Sequence, residues 1–255
     1  MKTGREQNFL EHDAWPSWWR ARIGLIIPSP GLVSFQEQQT ICPKGVAILH
    51  TRVMLKETTP EALSKLREEV LYAAELLATA KPEVISYNCT SSALIKGAEY
   101  EKAILQKIEE VTGIKATSAA LSVVGSLQSL GIKKIVVVAP YLKEVTDAEE
   151  KYLESFGFEV VYSETLGMKE PLVFMERPPW ENYHFAFNAY RKAPEAEAIF
   201  ISCGAMRTIE IIEHLERAIG KPVLSSNQCN AWMCLKLAGI KEPIYGYGSL
   251  LARER

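Results

Sequence analysis

The stretch from Ala198 to Thr208, AIFISCGAMRT, decides how this chain is read. Ile199, Phe200 and Ile201 form a short apolar run of the kind that makes a buried strand. Ser202, Cys203 and Gly204 then turn the chain, and Met206 to Arg217 has the pattern of a helix. Such a passage sets a thiol at the carboxyl end of a strand and the amino end of a helix. Free N–H groups and the positive end of the helix dipole favour an anion there, and the thiolate is the reactive form of cysteine.

The arrangement occurs once before. Val84, Ile85 and Ser86 read as a strand, Asn88-Cys89-Thr90-Ser91-Ser92 as the turn, and Ala93 onward as a helix. One buried cysteine is ordinarily a packing residue; two in the same strand-turn-helix setting make a candidate pair.

Working outward, strands alternate with helices along the chain. RIGLIIP from Arg22 is a buried strand ending at Ser29-Pro30-Gly31, and VAILHTRV within Gly45 to Met54 is a second. A helix start falls near Glu37. Thr59-Pro60-Glu61 begins a helix with proline at its first position, carrying Leu63, Leu66, Val70, Leu71, Ala74 and Leu77 at helical spacing. Glu99 to Val111, Ala116 to Leu130, Asp147 to Phe156, Tyr183 to Arg191 and Asn230 to Leu237 read as helices. Lys134 to Ala139, Phe158 to Tyr162, Val223 to Ser225 and Ile244 to Tyr247 read as strands, and residues 167–182 as loop. The chain also repeats itself. IGLIIP at Ile23 is echoed by IVVVAP at Ile135, Cys89 by Cys203, and GIKATSAALSVVGSLQSLGIKK by GKPVLSSNQCNAWMCLKLAGIKE. This predicts an α/β fold of two similar lobes. Each is a mostly parallel sheet flanked by helices, the two are related by a pseudo-twofold, and the site lies between them. The boundaries read as a Trp-rich extension over 1–20, a first lobe over 21–130 and a second over 131–255. Ligands of open parallel sheets bind at the carboxyl ends of the strands, so Cys89 and Cys203 should approach one pocket from opposite sides.

Composition narrows the function. A net charge of -2 offers no electrostatic reason to bind nucleic acid or an anionic membrane. No apolar run approaches the ~20 residues that span a bilayer, and the first residues are too polar for a secretory signal. The five cysteines, Cys42, Cys89, Cys203, Cys229 and Cys234, show neither a disulfide framework nor a zinc spacing. The expectation is a cytoplasmic protein with free thiols, no nucleic-acid or membrane partner, and room for a homo-oligomer.

Two thiols facing a small carboxylic acid can exchange its α-proton, one thiolate removing it and the other thiol delivering a proton to the opposite face. The enediolate between needs preorganised donors; Thr90, Ser91, Ser92, the N–H groups after each cysteine and the Tyr141 phenol are candidates. Alternatively a thiolate adds to a double bond and releases the other geometric isomer, or one thiol protonates the enediolate left when a malonate-like acid loses CO2. None of these uses a metal, flavin or nicotinamide, and no G-x-G-x-x-G or Walker-type loop is present.

The segments IGLIIPSPGLV, YNCTSSALIKGA, VAPYLKEV, ISCGAMRTIEIIEHLERAIGKPVLSS and YGYGSLL resemble the Asp/Glu racemase superfamily, in the branch of arylmalonate decarboxylases and maleate cis-trans isomerases. The resemblance implies that Cys203 is the proton-donating cysteine. It implies that Thr90, Ser91, Tyr141 and the N–H of Gly204 hold the carboxylate or enediolate oxygens. Cys89 falls where the decarboxylases have glycine and the isomerases and racemases their other cysteine, which favours isomerase or racemase chemistry. The loop Ser29-Pro30-Gly31 lacks the asparagine with which maleate isomerases grip a carboxylate, so the substrate need not be maleate.

Arg52, after a strand, is a candidate for a second substrate carboxylate, with a surface ion pair as the competing reading; Ser29 belongs to the adjoining loop. His50 reads as a core or edge residue, Asn88 as a helix cap, Arg207 as exposed, and Cys42, Cys229 and Cys234 as fillers. Phe174 and Met175 are placed to close over an apolar part of a substrate. The expectation is a cofactor-independent isomerase or racemase of a small carboxylate, with Cys89 and Cys203 as the catalytic pair. The alternatives are a decarboxylase using Cys203 alone and a non-catalytic carboxylate-binding protein.

Overall fold

A computed structural model of the chain describes residues 18–55, 67–90 and 97–255. The sheets grow from the strongest apolar runs. β1 (Ala21–Pro28) is buried along nearly its whole length, as a strand covered on both faces must be. It pairs in parallel with β2 (Val46–Val53) on one side and β3 (Val84–Tyr87) on the other. β4 (Lys115–Ser118) continues the sheet beside β3. β5 (Lys134–Ala139) plays the part of β1 in the second sheet, between β6 (Glu159–Thr165) and β7 (Ala198–Ile201), with β8 (Val223–Ser225) beyond β7. The orders β2-β1-β3-β4 and β6-β5-β7-β8 are the same, so the repeat legible in the sequence is a repeat of topology.

Helices α1 (Leu32–Ile41), α2 (Arg67–Ala78) and α3 (Ala98–Thr112) link the strands of the first half. In the second half α5 (Lys143–Ser155), the short α6 (Pro171–Glu176), α7 (Pro179–Tyr190) and α8 (Ile212–Ile219) do the same. The two halves exchange their last helices. α4 (Ala119–Ser129) lays Val123, Val124 and Leu127 against Ile135, Val137, Phe200 and Leu224 of the second sheet. α9 (Ser226–Leu237) reaches the first sheet, where Cys234 and Leu235 pack with Ile23, Leu25 and Val84. Buried polar groups fix that contact: Ser86 on β3 donates to Asn230 Oδ1 (2.5 Å), and Asn230 Nδ2 donates to Gln38 Oε1 on α1 (2.7 Å). Inside a low-dielectric core such pairs specify register, because an unpaired amide there is costly.

Several expected elements differ. Residues 115–118 are a strand, not the start of a helix; the helix begins after Ser118, whose side chain accepts the Leu121 N–H (3.0 Å). Ile244 to Tyr247 is no strand: Ile244 bonds Leu251, and Gly246 and Gly248 turn the chain through positive φ. Residues 167–182 contain α6 and the start of α7, each opened by a proline within its first turn. α1 begins at Leu32, ahead of Glu37, and α9 at Ser226, ahead of Asn230. The expected helix from Met206 starts only at Ile212. The N-terminal part of the extension with Trp15, the helix start at Thr59, and Ser91 and Ser92 lie outside the described residues. Among the described residues no helix is long and apolar enough to cross a membrane.

Candidate active site

Cys203 follows β7 in a strained backbone, with φ 98° in a region that L-residues avoid. The strain is held from several sides. The Cys203 N–H donates to Ser226 Oγ (3.0 Å), and Asn227 Nδ2 donates to the Gly204 carbonyl (3.0 Å). Both partners come from the first turn of α9, which the Ser225 and Gln228 capping box starts. A Cβ on Gly204 would stand 2.9 Å from Asn227 Oδ1 and 3.2 Å from Ser34 Cβ, so glycine is required by close approach. The segment after it is not a helix. The N–H groups of Thr208 and Ile209 are taken instead by Glu37 Oε1, at 2.5 and 3.0 Å. The expected helix directly after Cys203 therefore supplies no dipole there; the helix N-terminus beside the turn is that of α9. Burial pushes the thiol up to about 12, against the donors that favour the thiolate, the Tyr141 hydroxyl and the Ala205 N–H (3.3 Å from Sγ). At neutral pH and without ligand, Cys203 is a thiol.

Cys203 opens onto a cavity of about 50 Å³ between the two halves. The first half contributes Ser34, Leu55, Asn88, Cys89 and Thr90, and the second Tyr141, Phe174, Cys203, Gly204 and Ala205. Cys89 and Cys203 thus line one space from opposite lobes, near enough that a charge on Cys89 would act on Cys203. Pro28, Pro30 and Pro171 complete an apolar wall with Leu55 and Phe174. The polar wall is Thr90, Ser34 and Asn88, whose Nδ2 donates to Ser34 Oγ (3.1 Å). No cationic side chain lines the cavity among the described residues.

Of the residues singled out from the sequence, Asn88, Cys89, Thr90, Tyr141, Phe174, Cys203 and Gly204 meet here. Ser91 falls outside the described residues. Arg52 and Ser29 are not brought to the cavity. The Arg52 side chain is exposed and donates to the Ser29 carbonyl (2.9 Å), while Ser29 Oγ accepts the Leu55 N–H (3.1 Å). Together they tie the end of β2 to the loop after β1, because Arg52 lies on the outward face of an edge strand. His50 meets the Phe35 ring at a tilt of 45°, centroids 4.3 Å apart, away from the cavity. Arg207 is exposed and pairs with Glu210 (2.7 Å). Phe174 is buried in the cavity wall, whereas Met175 lines an outer groove. Cys229 and Cys234 are fully buried, Cys42 partly.

Sequence reasoning missed the supporting residues. Asn88, read as a cap, is bonded to Ser34 in the cavity wall. Ser226 and Asn227 were visible only as part of the SSN run after GKPVL, and Glu37 carried no signal because its partners stand far along the chain. Among the described residues no cluster of His, Cys, Asp and Glu could hold a metal ion.

A sequence model described as arylmalonate decarboxylase matches residues 23–251, nearly all of the two sheets and their helices. The chain belongs to the arylmalonate decarboxylase family. Within that family and around it, the chain is 26% identical over 218 residues to the arylmalonate decarboxylase of Bordetella bronchiseptica, covering 85% of this chain and 90% of the relative. It is 26% identical over 245 residues to the maleate isomerase of Geobacillus stearothermophilus, covering 91% and 97%. In fold it superposes on the maleate cis-trans isomerase of Nocardia farcinica, in a mutant with a covalently bound succinylcysteine intermediate, with TM-score 0.86, 24% identity, and coverage of 92% and 99%. These relatives carry the names of enzymes, and the superposition shows that this chain shares their fold.

Proposed function

We propose that the protein is a cofactor-independent racemase or isomerase of a small carboxylic acid, with Cys89 and Cys203 as the catalytic pair, exchanging protons in a racemase or adding to a double bond in a cis-trans isomerase. The observation that carries this reading is the placement of one thiol from each lobe in the wall of a single cavity. A carboxylate seated on Thr90 and the N–H of Gly204 would lay its α-carbon between the sulfurs. The thiolate of one removes the α-proton, the donors hold the enediolate, and the thiol of the other returns a proton to the opposite face. The cavity wall favours an acid with one carboxylate and a short apolar group, since Leu55, Phe174 and three prolines form the opposite side and Arg52 points elsewhere. The volume, about 50 Å³, is far below the several hundred Å³ of pockets for drug-sized ligands, which restricts the class to small acids. The relatives named maleate isomerase support isomerase chemistry in this scaffold, and the family's own name supports a second reading. In that reading Cys203, a thiol at rest, protonates the enediolate left by decarboxylation of a malonate-type acid, and Cys89 is a bystander.

Deuterium exchange at the α-carbon of a panel of short 2-substituted acids separates the two. Exchange that is lost in Cys89→Ser and in Cys203→Ser is the expected result. CO2 release from substituted malonates that survives Cys89→Ser and dies in Cys203→Ser would move the assignment to decarboxylation. Turnover that persists in Cys203→Ser would remove both.

A further inference from the structure

Ser34 stands in the polar wall of the cavity, and neither reading of the chemistry uses it. It lies in the first turn of α1 and is 3% exposed. Its Oγ accepts the Asn88 Nδ2–H at 3.1 Å. A serine hydroxyl also carries one proton to donate, and among the described residues no group accepts it. A buried donor without an acceptor is uncommon in a folded protein. This one lines the space that Cys89 and Cys203 share.

The neighbours of Ser34 indicate what takes that proton. A Cβ built on Gly204 would stand 3.2 Å from Ser34 Cβ, so the serine lies directly against the turn whose N–H is assigned to the substrate carboxylate. Asn88, which holds the Ser34 oxygen from the first lobe, comes two residues before Thr90, the other assigned donor. Ser34 therefore sits where the two sides of that seat meet. Its place is braced from one turn further along α1. There Glu37 accepts the Asn227 amide at 2.6 Å, and the same amide donates to the Gly204 carbonyl at 3.0 Å. No cationic side chain lines the cavity among the described residues. An anion in it has to be held by neutral donors, and such donors act most strongly when they are fixed in advance and water is excluded.

We propose that Ser34 binds the substrate's carboxylate, its hydroxyl donating to a carboxylate oxygen beside the Gly204 N–H. Asn88 is the positioning residue: by donating to the Ser34 oxygen it leaves the hydroxyl proton facing the cavity. The proposal rests on the carboxylate seat at Thr90 and Gly204 described above, and it adds a donor from α1 to that seat.

The test measures binding and needs no turnover. The probes are 2-methylpropanoate and the neutral 2-methylpropanamide, which have nearly the same shape. Each is titrated calorimetrically at neutral pH into the wild-type protein, Ser34→Ala and Ser34→Cys. A hydrogen bond to a charged acceptor is about twice as strong as one between neutral groups. Loss of the hydroxyl should therefore weaken the carboxylate about tenfold or more, and the amide by less than about threefold. Cysteine keeps the volume but is a weak donor, so Ser34→Cys should lose as Ser34→Ala does, and it carries the test alone if Ser34→Ala fails to fold. Equal losses for the two probes, wild-type affinity in Ser34→Cys, or no binding of the carboxylate to the wild-type protein each overturns the proposal. For Asn88 the readout is a double-variant cycle. Asn88→Ala should weaken the carboxylate, and Asn88→Ala combined with Ser34→Ala should bind it no more weakly than Ser34→Ala alone; additive losses overturn the positioning role. Loss or survival of α-proton exchange in Cys89→Ser and Cys203→Ser judges the two-thiol reading separately, because the affinity measured in this way does not pass through either sulfur.

Discussion

Glu37 and Asn227 meet across the two halves of the molecule, the Asn227 amide donating to Glu37 Oε2 at 2.6 Å. The same carboxylate gathers the N–H groups of Thr208 and Ile209 and the Thr208 hydroxyl. One side chain from α1 thus does, for the segment after Cys203, what a regular helix would otherwise have done internally. Replacing it with alanine removes the acceptor of the buried Thr208 N–H and hydroxyl and of the partly buried Ile209 N–H, and takes one of two partners from the Asn227 amide, which keeps the Gly204 carbonyl. Each buried group left unsatisfied costs about 1–3 kcal/mol, so Glu37→Ala should lose on the order of 3 kcal/mol of unfolding free energy in a denaturant titration. Turnover should fall more steeply than stability, because the Cys203 turn is what these bonds hold. Glu37→Gln, which keeps one acceptor, should lie between.

The strain at Cys203 makes a prediction of its own. Its φ of 98° is natural for glycine and unfavourable for any residue with a Cβ. Cys203→Gly should therefore be more stable than Cys203→Ala by about 1 kcal/mol, although both lack the thiol. Equal stability of the two would show that the backbone relaxes when the sulfur is gone.

Buried carboxyls bear on the pH dependence of folding, Glu37 and Glu149 foremost, with Glu101 also raised by burial. Burial raises Glu37 to about 7, in spite of its donors, and Glu149 to about 8, both from an ordinary 4.5. A carboxyl whose folded value lies above its unfolded value binds its proton more tightly when folded. Its contribution is complete below the unfolded value and is lost as pH rises through the folded one. The shifts correspond to on the order of 3 kcal/mol for Glu37 and 5 kcal/mol for Glu149, so unfolding free energy should decline between about pH 5 and pH 8.5 by several kcal/mol. Glu149→Gln should flatten the upper part of that decline. A profile that stays flat over this range would mean that both groups are ionised in the folded protein throughout it.

Much of the fold was legible in the chain, and the reason is visible in particular strands. β1 and β5 are apolar on both faces because each is the second strand of its sheet and covered on both sides, and runs such as IGLII and IVVV admit little else. β4 escaped because four residues of mixed character, KATS, abut the helix that Ser118 caps, and periodicity cannot separate so short a strand from a helix start. The candidate thiols and Tyr141 stood out as reactive or polar residues at strand ends. Arg52 also stood at a strand end, but on the edge strand β2, where its side chain is exposed and reaches back to Ser29. Glu149 and Ser226 were beyond reach, since what makes them matter is a contact with residues fifty and twenty-odd positions away, at 2.6 and 3.0 Å.

Phe174 sets the size of what the cavity admits. It is fully buried on α6, meets the Tyr141 ring edge-on at 6.2 Å, and forms the cavity's apolar end with Pro171. Truncation to alanine removes a large side chain from a wall that also packs the second lobe, at a cost of about 3–5 kcal/mol if the site does not collapse. The space released lies beside the position proposed for the substrate's apolar group. Across a series of 2-substituted acids of increasing length, Phe174→Ala should therefore shift the maximum of kcat/KM toward larger substituents while lowering it for the smallest. Phe174→Leu should shift it less and fold better. If the preference for size stays where it was in both variants, the apolar group sits elsewhere, and the seat assigned to the carboxylate on Thr90 and Gly204 must be turned around with it.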